Sequence, residues 1–225
     1  MPTSFARAER AALADLLREL GPDAPTLCEG WTTRDLAAHL VVREHRPDSA
    51  PGIMIAALAG WTEKVRLKQA AKPYEQTVRL VADGPPRLSV FGIPGVDAAA
   101  NTMEYFVHLE DVRRAQPAGA EPRDLDPALT EILWKRARGA SRTALRGVPV
   151  GVALRRTDGP YDEPPVTIHK GSQSTKGAQG TPVVTLAGHP AELLLYLFGR
   201  KEQAQVAIEG DEDAIRRLRE ARTGL

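Results

Sequence analysis

The chain has 225 residues, 42% of them hydrophobic and 26% charged, and a formal net charge of +1. This length suits one large domain or two small ones, and the apolar content is enough for a packed core, which excludes a disordered chain. The near-zero charge excludes a global field aimed at nucleic acid or an anionic membrane, and the longest apolar runs, such as IMIAALAGW, are too short to span a bilayer. Charges stand in the first residues where a signal peptide needs an apolar stretch, so no secretion signal is expected. Cys28 is the single cysteine, which rules out an internal disulfide and suits a reducing cytoplasm. Abundant Ala, Arg, Gly and Pro with few Lys suit a GC-rich genome.

Residues 4–20 place leucines and alanines at helical spacing, with Ser4 as N-cap and a stop at Gly21-Pro22. TLCEGW is a loop. TTRDLAAHLVVREHR opens on Thr32 with Asp35 three residues on, a capping-box pattern, and ends before Pro47. A third helix is expected over 53–71 and a shorter fourth after Pro73, which suits a first helical turn. Pro and Gly punctuate GPPRLSVFGIPG throughout, so it reads as loop. VDAAANTMEYFVHLEDVRRAQ is the last long helix of this half. PAGAEPRDLDPA then reads as a linker, and 129–145 as one more helix. Beyond it the period changes from helical to two. VGVALRRTDG, PVTIHKG, PVVTLAG and AQVAIEG read as strands, interleaved with helices at HPAELLLYLFGR and DEDAIRRLREA. The expected fold is α+β: a helical domain over 1–116, a helix over 128–145 packing on it or bridging from it, and a small antiparallel α+β domain over 146–225.

The residues with chemistry to offer sit on two of these helices. Glu104 and His108, four apart, share one helical face, and Asn101 and Asp111 extend them into a polar stripe. Met103, Phe106, Val107 and Val112 border that stripe and need a core, so the stripe faces either water or a polar cavity. Taken alone, Glu-x-x-x-His is a weak motif, and a solvated pair is the commoner meaning. His39 changes the balance. Among Leu36, Leu40 and Val42 it is set against an apolar region, where a neutral imidazole needs a partner. His39, Glu104 and His108 together would make a two-histidine, one-carboxylate set, the catalytic rather than structural pattern for zinc, built from facing helices as bundles build such sites. Asp111, one turn from His108, could accept its other ring N–H and fix the tautomer. His45, near a helix end, reads as exposed, and His189 before Pro190 as turn chemistry. Cys28, without a CxxC partner, reads as a small buried filler, and Trp31 as a packing anchor.

LCEGWTTRDLAAHLVVREHRPD followed by EYFVHLEDVRRA resembles the actinobacterial mycothiol-dependent maleylpyruvate isomerase-like proteins, whose N-terminal domain belongs to the DinB-like four-helix-bundle superfamily. TPVVTLAGHPAELLLYLFGRKEQAQVAIEGDEDAIRRL resembles the small α+β domain that follows the bundle there, so the resemblance covers nearly the whole chain. It implies a divalent metal, usually zinc, held by His39, Glu104 and His108. It also implies mycothiol as cosubstrate, activated as a metal-bound thiolate for isomerisation or S-transfer to a small electrophile. Arg43 and Asp111 are candidates for polar contacts to such a thiol. The alternative is a non-catalytic module that binds metal or ligand, since the C-terminal domain is also similar to sterol-carrier folds. No nucleic acid or membrane partner is expected, and the chain would work as a monomer or homodimer in the cytoplasm.

Overall fold

A computed structural model describes residues 4–46, 48, 59–86, 96–119, 121–159, 163–171 and 181–221, the side chains of 96–100, 141 and 142 excepted. The fold is α+β and divides into two compact units, 1–121 and 122–225. Among the described residues no helix is long and apolar enough to cross a membrane.

The first unit is helical. Helix α1 (Phe5–Leu20) is capped by Ser4, whose side chain accepts from the Arg7 amide, and it stops at Gly21, where φ is 74°. Its apolar positions Ala6, Leu13, Ala14 and Leu17 fall on one face and are all fully buried. Helix α2 (Thr33–His45) starts as the capping pattern predicts: Asp35 Oδ2 accepts from the Thr32 amide at 3.1 Å and its hydroxyl at 2.9 Å. Helix α3 covers Ala59–Ala70, so the expected start at 53 lies outside the described residues, as does 87–95 of the expected loop. Helix α4 (Tyr74–Asp83) has Pro73 as its N-cap, and α5 spans Val96–Arg114. α1 packs on α5 and α4, and α2 on α3 and α4. Their shared core is built on Leu13, Leu17, Leu36, Leu40, Tyr105 and Leu109.

A cluster of Arg10, Glu44 and Tyr105 brings polar groups into this core. Arg10 donates to Glu44 at 2.9 Å and lies over the Tyr105 ring, 4.6 Å from its centroid. The Tyr105 hydroxyl donates to the same Glu44 oxygen at 2.7 Å. Burial first, and then the Glu44 charge, push the Tyr105 hydroxyl above the usual phenol range. A Cβ at Gly84 would stand 2.6 Å from Arg10 Nη1, so the absence of a side chain there leaves room for the guanidinium.

In the second unit α6 (Pro127–Gly139) is capped by Asp126, which accepts from the Ala128 amide, with Pro127 in the first turn. A short α7 (Ser141–Ala144) follows. The strands are β1 (Gly151–Arg156), β2 (Val166–His169), β3 (Val183–Gly188) and β4 (Ala207–Glu209), with α8 (Pro190–Leu197) and α9 (Glu212–Glu220) interleaved as expected. His189 caps α8 by accepting from the Ala191 amide. The helix expected over 128–145 lies in this unit: α6 packs on α8 and touches β2. Buried Leu133, Trp134 and Ala137 give it the apolar face that requires such cover.

The sheet is mixed, not antiparallel as expected. Its order is β2-β1-β3-β4, with β1 and β3 parallel and the outer pairs antiparallel. β2 runs against β1, whereas β3, on the other side of β1, runs with it. A period of two reports that a segment is a strand but not which neighbour it takes. The centre of the sheet is the most apolar part: Val152 and Leu154 of β1 and Val184 and Leu186 of β3 are fully buried. The LLLYL run of α8 is buried throughout and packs on β3 and α6, so it belongs to the core.

Candidate metal centre

The polar stripe of α5 faces inward. Asn101 and Asp111 are fully buried, and the His108 and Glu104 side chains keep only 12% and 21% exposure, so the pair is not a solvated surface contact. The helical period that puts these four residues on one face also turns Tyr105, Leu109 and Val112 into the core.

His39 projects from α2 toward that stripe. Its Nε2 lies 3.4 Å from Glu104 Oε1, and His108 Nε2 lies 3.3 Å from the same oxygen. The two imidazole rings meet edge to face, with centroids 5.5 Å apart. One donor atom from each of His39, Glu104 and His108 falls within 4.8 Å of the others. Trp31 backs His39, ring centroid to ring centroid at 5.2 Å, and Arg66 lies over the other aromatic partner, 4.8 Å from the Trp31 ring. Arg66 is itself fixed by Asp35 and Glu63 at 2.6 Å each. The capping residue of α2 therefore also anchors the arginine that packs on Trp31.

Arg43 completes the surroundings of Glu104. Its Nε lies 3.4 Å from Glu104 Oε1, and its Nη1 donates to Asn101 Oδ1 at 2.6 Å. Burial alone would raise the Glu104 carboxyl. Hydrogen bonds with His108 and His39 and the charges of His108 and Arg43 outweigh it and hold the group well below the usual carboxylate range. The two histidines are driven apart. Burial pushes His39 below the ordinary imidazole value, aided by the charges of His108 and Arg43 and opposed by Glu104. Burial acts on His108 in the same sense, but bonds with Asp111, Cys28 and Glu104 overcome it and lift that ring well above the ordinary value.

Asp111 holds the far side of His108. Its Oδ2 lies 3.0 Å from His108 Nδ1, which leaves Nε2 directed at Glu104. The same oxygen accepts from Cys28 Sγ at 3.3 Å, and Sγ lies 4.0 Å from His108 Nδ1. Cys28, His108 and Asp111 thus form a second group of possible metal donors that shares His108 with the first. The loop between α1 and α2 is fastened to the last turn of α5, which sets the thiol in place. Leu27 N–H donates to the Asp111 carbonyl at 3.0 Å and the Gln116 side chain donates to the Pro25 carbonyl at 3.0 Å. The first of these contacts occupies a carbonyl that the end of α5 leaves without an intrahelical partner. Within the loop, Thr26 Oγ1 donates to the Trp31 carbonyl at 2.8 Å.

The residues singled out by sequence, His39, Glu104, His108, Asp111 and Arg43, therefore converge. Cys28 packs against the core as a filler would, but its sulfur also meets Asp111. Trp31 packs against that core as expected. His45 is half-buried rather than exposed, because α2 continues to that residue and its ring turns back toward α3 and α4. Comparison of the chain with family models, with curated proteins and with solved structures finds no match.

Proposed function

We propose that His39, Glu104 and His108 hold a divalent metal, zinc fitting best, in an enzyme that uses a small thiol. The observation that carries this reading is the spacing about Glu104 Oε1. At 3.3 and 3.4 Å the two imidazole nitrogens are farther than a strong N–H···O bond prefers. Ligands 2.0–2.1 Å from a tetrahedral zinc stand about 3.4 Å apart, which these separations match. Two imidazole nitrogens, His108 giving up its proton as metal enters, and one carboxylate oxygen suit zinc, and three protein ligands leave a fourth position for a reactant. The His39 and Glu104 side chains keep 20% and 21% exposure, so that position can be reached from solvent.

The second donor group serves orientation in this reading. Asp111 is fully buried and takes the Nδ1 side of His108, the usual place of a carboxylate behind a ligating histidine. It fixes the tautomer and makes Nε2 a better donor. Arg43 holds Glu104 and Asn101 and keeps a positive charge beside the centre, where it can steer an anionic reactant. When bound, the metal lowers the pKa of a coordinating thiol and stabilises it as thiolate. With the resemblance of the EGWTTRDLAAHL and EYFVHLED segments, this favours mycothiol as cosubstrate and isomerisation or S-transfer to a small electrophile as the reaction. In the same reading the helical unit is a DinB-like four-helix bundle, and the protein works in the cytoplasm as a monomer or homodimer.

Metal analysis of the purified protein tests the centre. One zinc per chain, lost in His39→Ala and in His108→Ala, is expected, and equal metal in wild type and both variants refutes the site. Thermal shift of the zinc-loaded protein with mycothiol and with glutathione tests the chemistry. Stabilisation by mycothiol is expected. No response to any thiol would reduce the protein to a metal-binding module without thiol chemistry.

A further inference from the structure

His108 faces two donor sets from opposite edges of one ring. Its Nε2 lies 3.3 Å from Glu104 Oε1, and its Nδ1 lies 3.0 Å from Asp111 Oδ2 and 4.0 Å from Cys28 Sγ. Once neutral, an imidazole has one lone pair to give, and its other nitrogen keeps a proton. With metal on Nε2, the Nδ1 proton goes to Asp111. With metal on Nδ1, the proton sits on Nε2 and Glu104 Oε1 takes it. Both tautomers therefore have an acceptor in place, and the ring can serve either set but not both.

The Cys28 side has the make-up of a cation site. The separations among Nδ1, Oδ2 and Sγ are 3.0, 3.3 and 4.0 Å. Ligands of a tetrahedral ion bound through one sulfur stand about 3.3–3.6 Å apart, so small shifts of the side chains suffice. The thiol is placed by its own loop. The Cys28 amide donates to Thr26 Oγ1 at 3.2 Å, and the Leu27 amide donates to the carbonyl of Asp111, the residue that also supplies the carboxylate. The charges balance as well. Asp111 is fully buried, where an unbalanced ion is costly, and one thiolate with one carboxylate neutralises a dication. The His39 set has one carboxylate and the Arg43 cation beside it. Cys28 is only half-buried, which leaves a way in on the sulfur side. It also carries the only sulfur of either set, and soft ions choose thiolate over nitrogen and oxygen.

We propose that Cys28, Asp111 and Nδ1 of His108 form a second site, selective for a soft thiophilic dication, and that filling it takes His108 away from zinc. On binding, Sγ–metal, Oδ2–metal and Nδ1–metal bonds form, the thiol and Nδ1 protons leave to solvent, and no electron is transferred. A soft ion thus empties the zinc centre without competing for His39 or Glu104. That consequence rests on the zinc reading above, whereas the second site does not.

Cadmium is the probe, read by its ultraviolet thiolate band and by coupling of an NMR-active cadmium isotope to labelled histidine nitrogens. In the metal-free wild type the band should saturate at one equivalent per chain, with coupling to His108 Nδ1 and none to Nε2. Both signals should persist in His39→Ala, which lacks the zinc set. In Cys28→Ser the Nδ1 coupling should be lost while zinc content stays that of the wild type. The serine hydroxyl can still donate to Asp111, so the fold should stand, as circular dichroism checks. Added to the zinc-loaded wild type, cadmium should release zinc one for one as the band grows. A band without Nδ1 coupling, which is a thiol adduct only, would overturn the proposal. So would Nδ1 coupling that survives Cys28→Ser, loss of both signals in a folded His39→Ala, or zinc that stays bound as the band grows. A wild type that takes up no zinc yet shows both cadmium signals would refute the zinc centre, and the exclusion with it, and leave the soft-ion site standing.

Discussion

Replacing Asp111 by asparagine should weaken zinc binding about tenfold to a hundredfold and leave the fold intact. One carboxylate oxygen, Oδ2, takes both the His108 Nδ1 contact at 3.0 Å and the Cys28 thiol at 3.3 Å. An amide oxygen in the same place can still accept from both, so the substitution removes charge while keeping shape and hydrogen bonds. Without that charge the His108 ring is less polarised and Nε2 is a weaker donor to the metal. The expected loss corresponds to roughly 1.4 to 2.7 kcal/mol of binding free energy. Asp111→Ala is the poorer experiment, since it strands two buried donors at a cost of about 1–3 kcal/mol each in folding stability. The assay is competition for zinc against a chromophoric chelator, with urea unfolding of the metal-free variant as the control for fold. Wild-type affinity in Asp111→Asn would refute the reasoning. So would zinc loss as complete as in His108→Ala, because Asp111 would then itself be a ligand, alongside Cys28.

Three further outcomes follow from the first unit. Glu44→Ala should cost about 3–5 kcal/mol in urea unfolding, because the buried Arg10 charge loses its counter-charge, whereas Tyr105→Phe should cost about 1 kcal/mol. Gly84→Ala should destabilise by about 1–2 kcal/mol, since its φ of 77° disfavours a side chain and the new Cβ would crowd Arg10; an unchanged unfolding midpoint would contradict this. Acid should weaken the protein through Asp35 and Glu63. Burial would raise Asp35, but bonds with Arg66 and Thr32 hold it below the usual range, and the Arg66 bond lowers Glu63 against a smaller effect of burial. Their contribution is therefore fully present above the ordinary carboxylate values near pH 4 and is lost as pH falls through the lowered folded ones. Thermal unfolding between pH 7 and 3 should show this loss, and Arg66→Met should abolish that portion of the acid sensitivity.

Much of this was legible along the chain because it is local. Ser4, Thr32 with Asp35, and Gly21 mark helix ends through contacts within a few residues, and the polar stripe of α5 follows from helical period, which nonetheless leaves open whether it faces water or the interior. The second partners of the same residues were not legible. Asp35 also holds Arg66, which packs on Trp31 behind His39, and nothing in the capping pattern announces that use. Cys28 meets Asp111 across most of the helical unit, and only its place in the loop before the His39 helix hinted at the site. Arg10 and Glu44 fall at the spacing of the buried faces, with Ala6 and Leu13 and with Leu40 and Val41, but nothing along the chain announces that the two charges meet each other and Tyr105. Strand direction was lost for a similar reason: β1 takes β3 as a neighbour through a contact that no alternation encodes.

The fastening of the α1–α2 loop to α5 also imposes an order of assembly. Residues 21–32 leave the ribosome long before the segment that anchors them, and the Leu27 amide has no Asp111 carbonyl to meet until α5 has formed and docked. Closing that contact spans most of the unit, so it belongs among the slow, non-local steps of folding. Until then the Cys28 thiol lacks its carboxylate neighbour, and exchange of the Leu27 amide serves as a clock for the moment at which the last helix arrives.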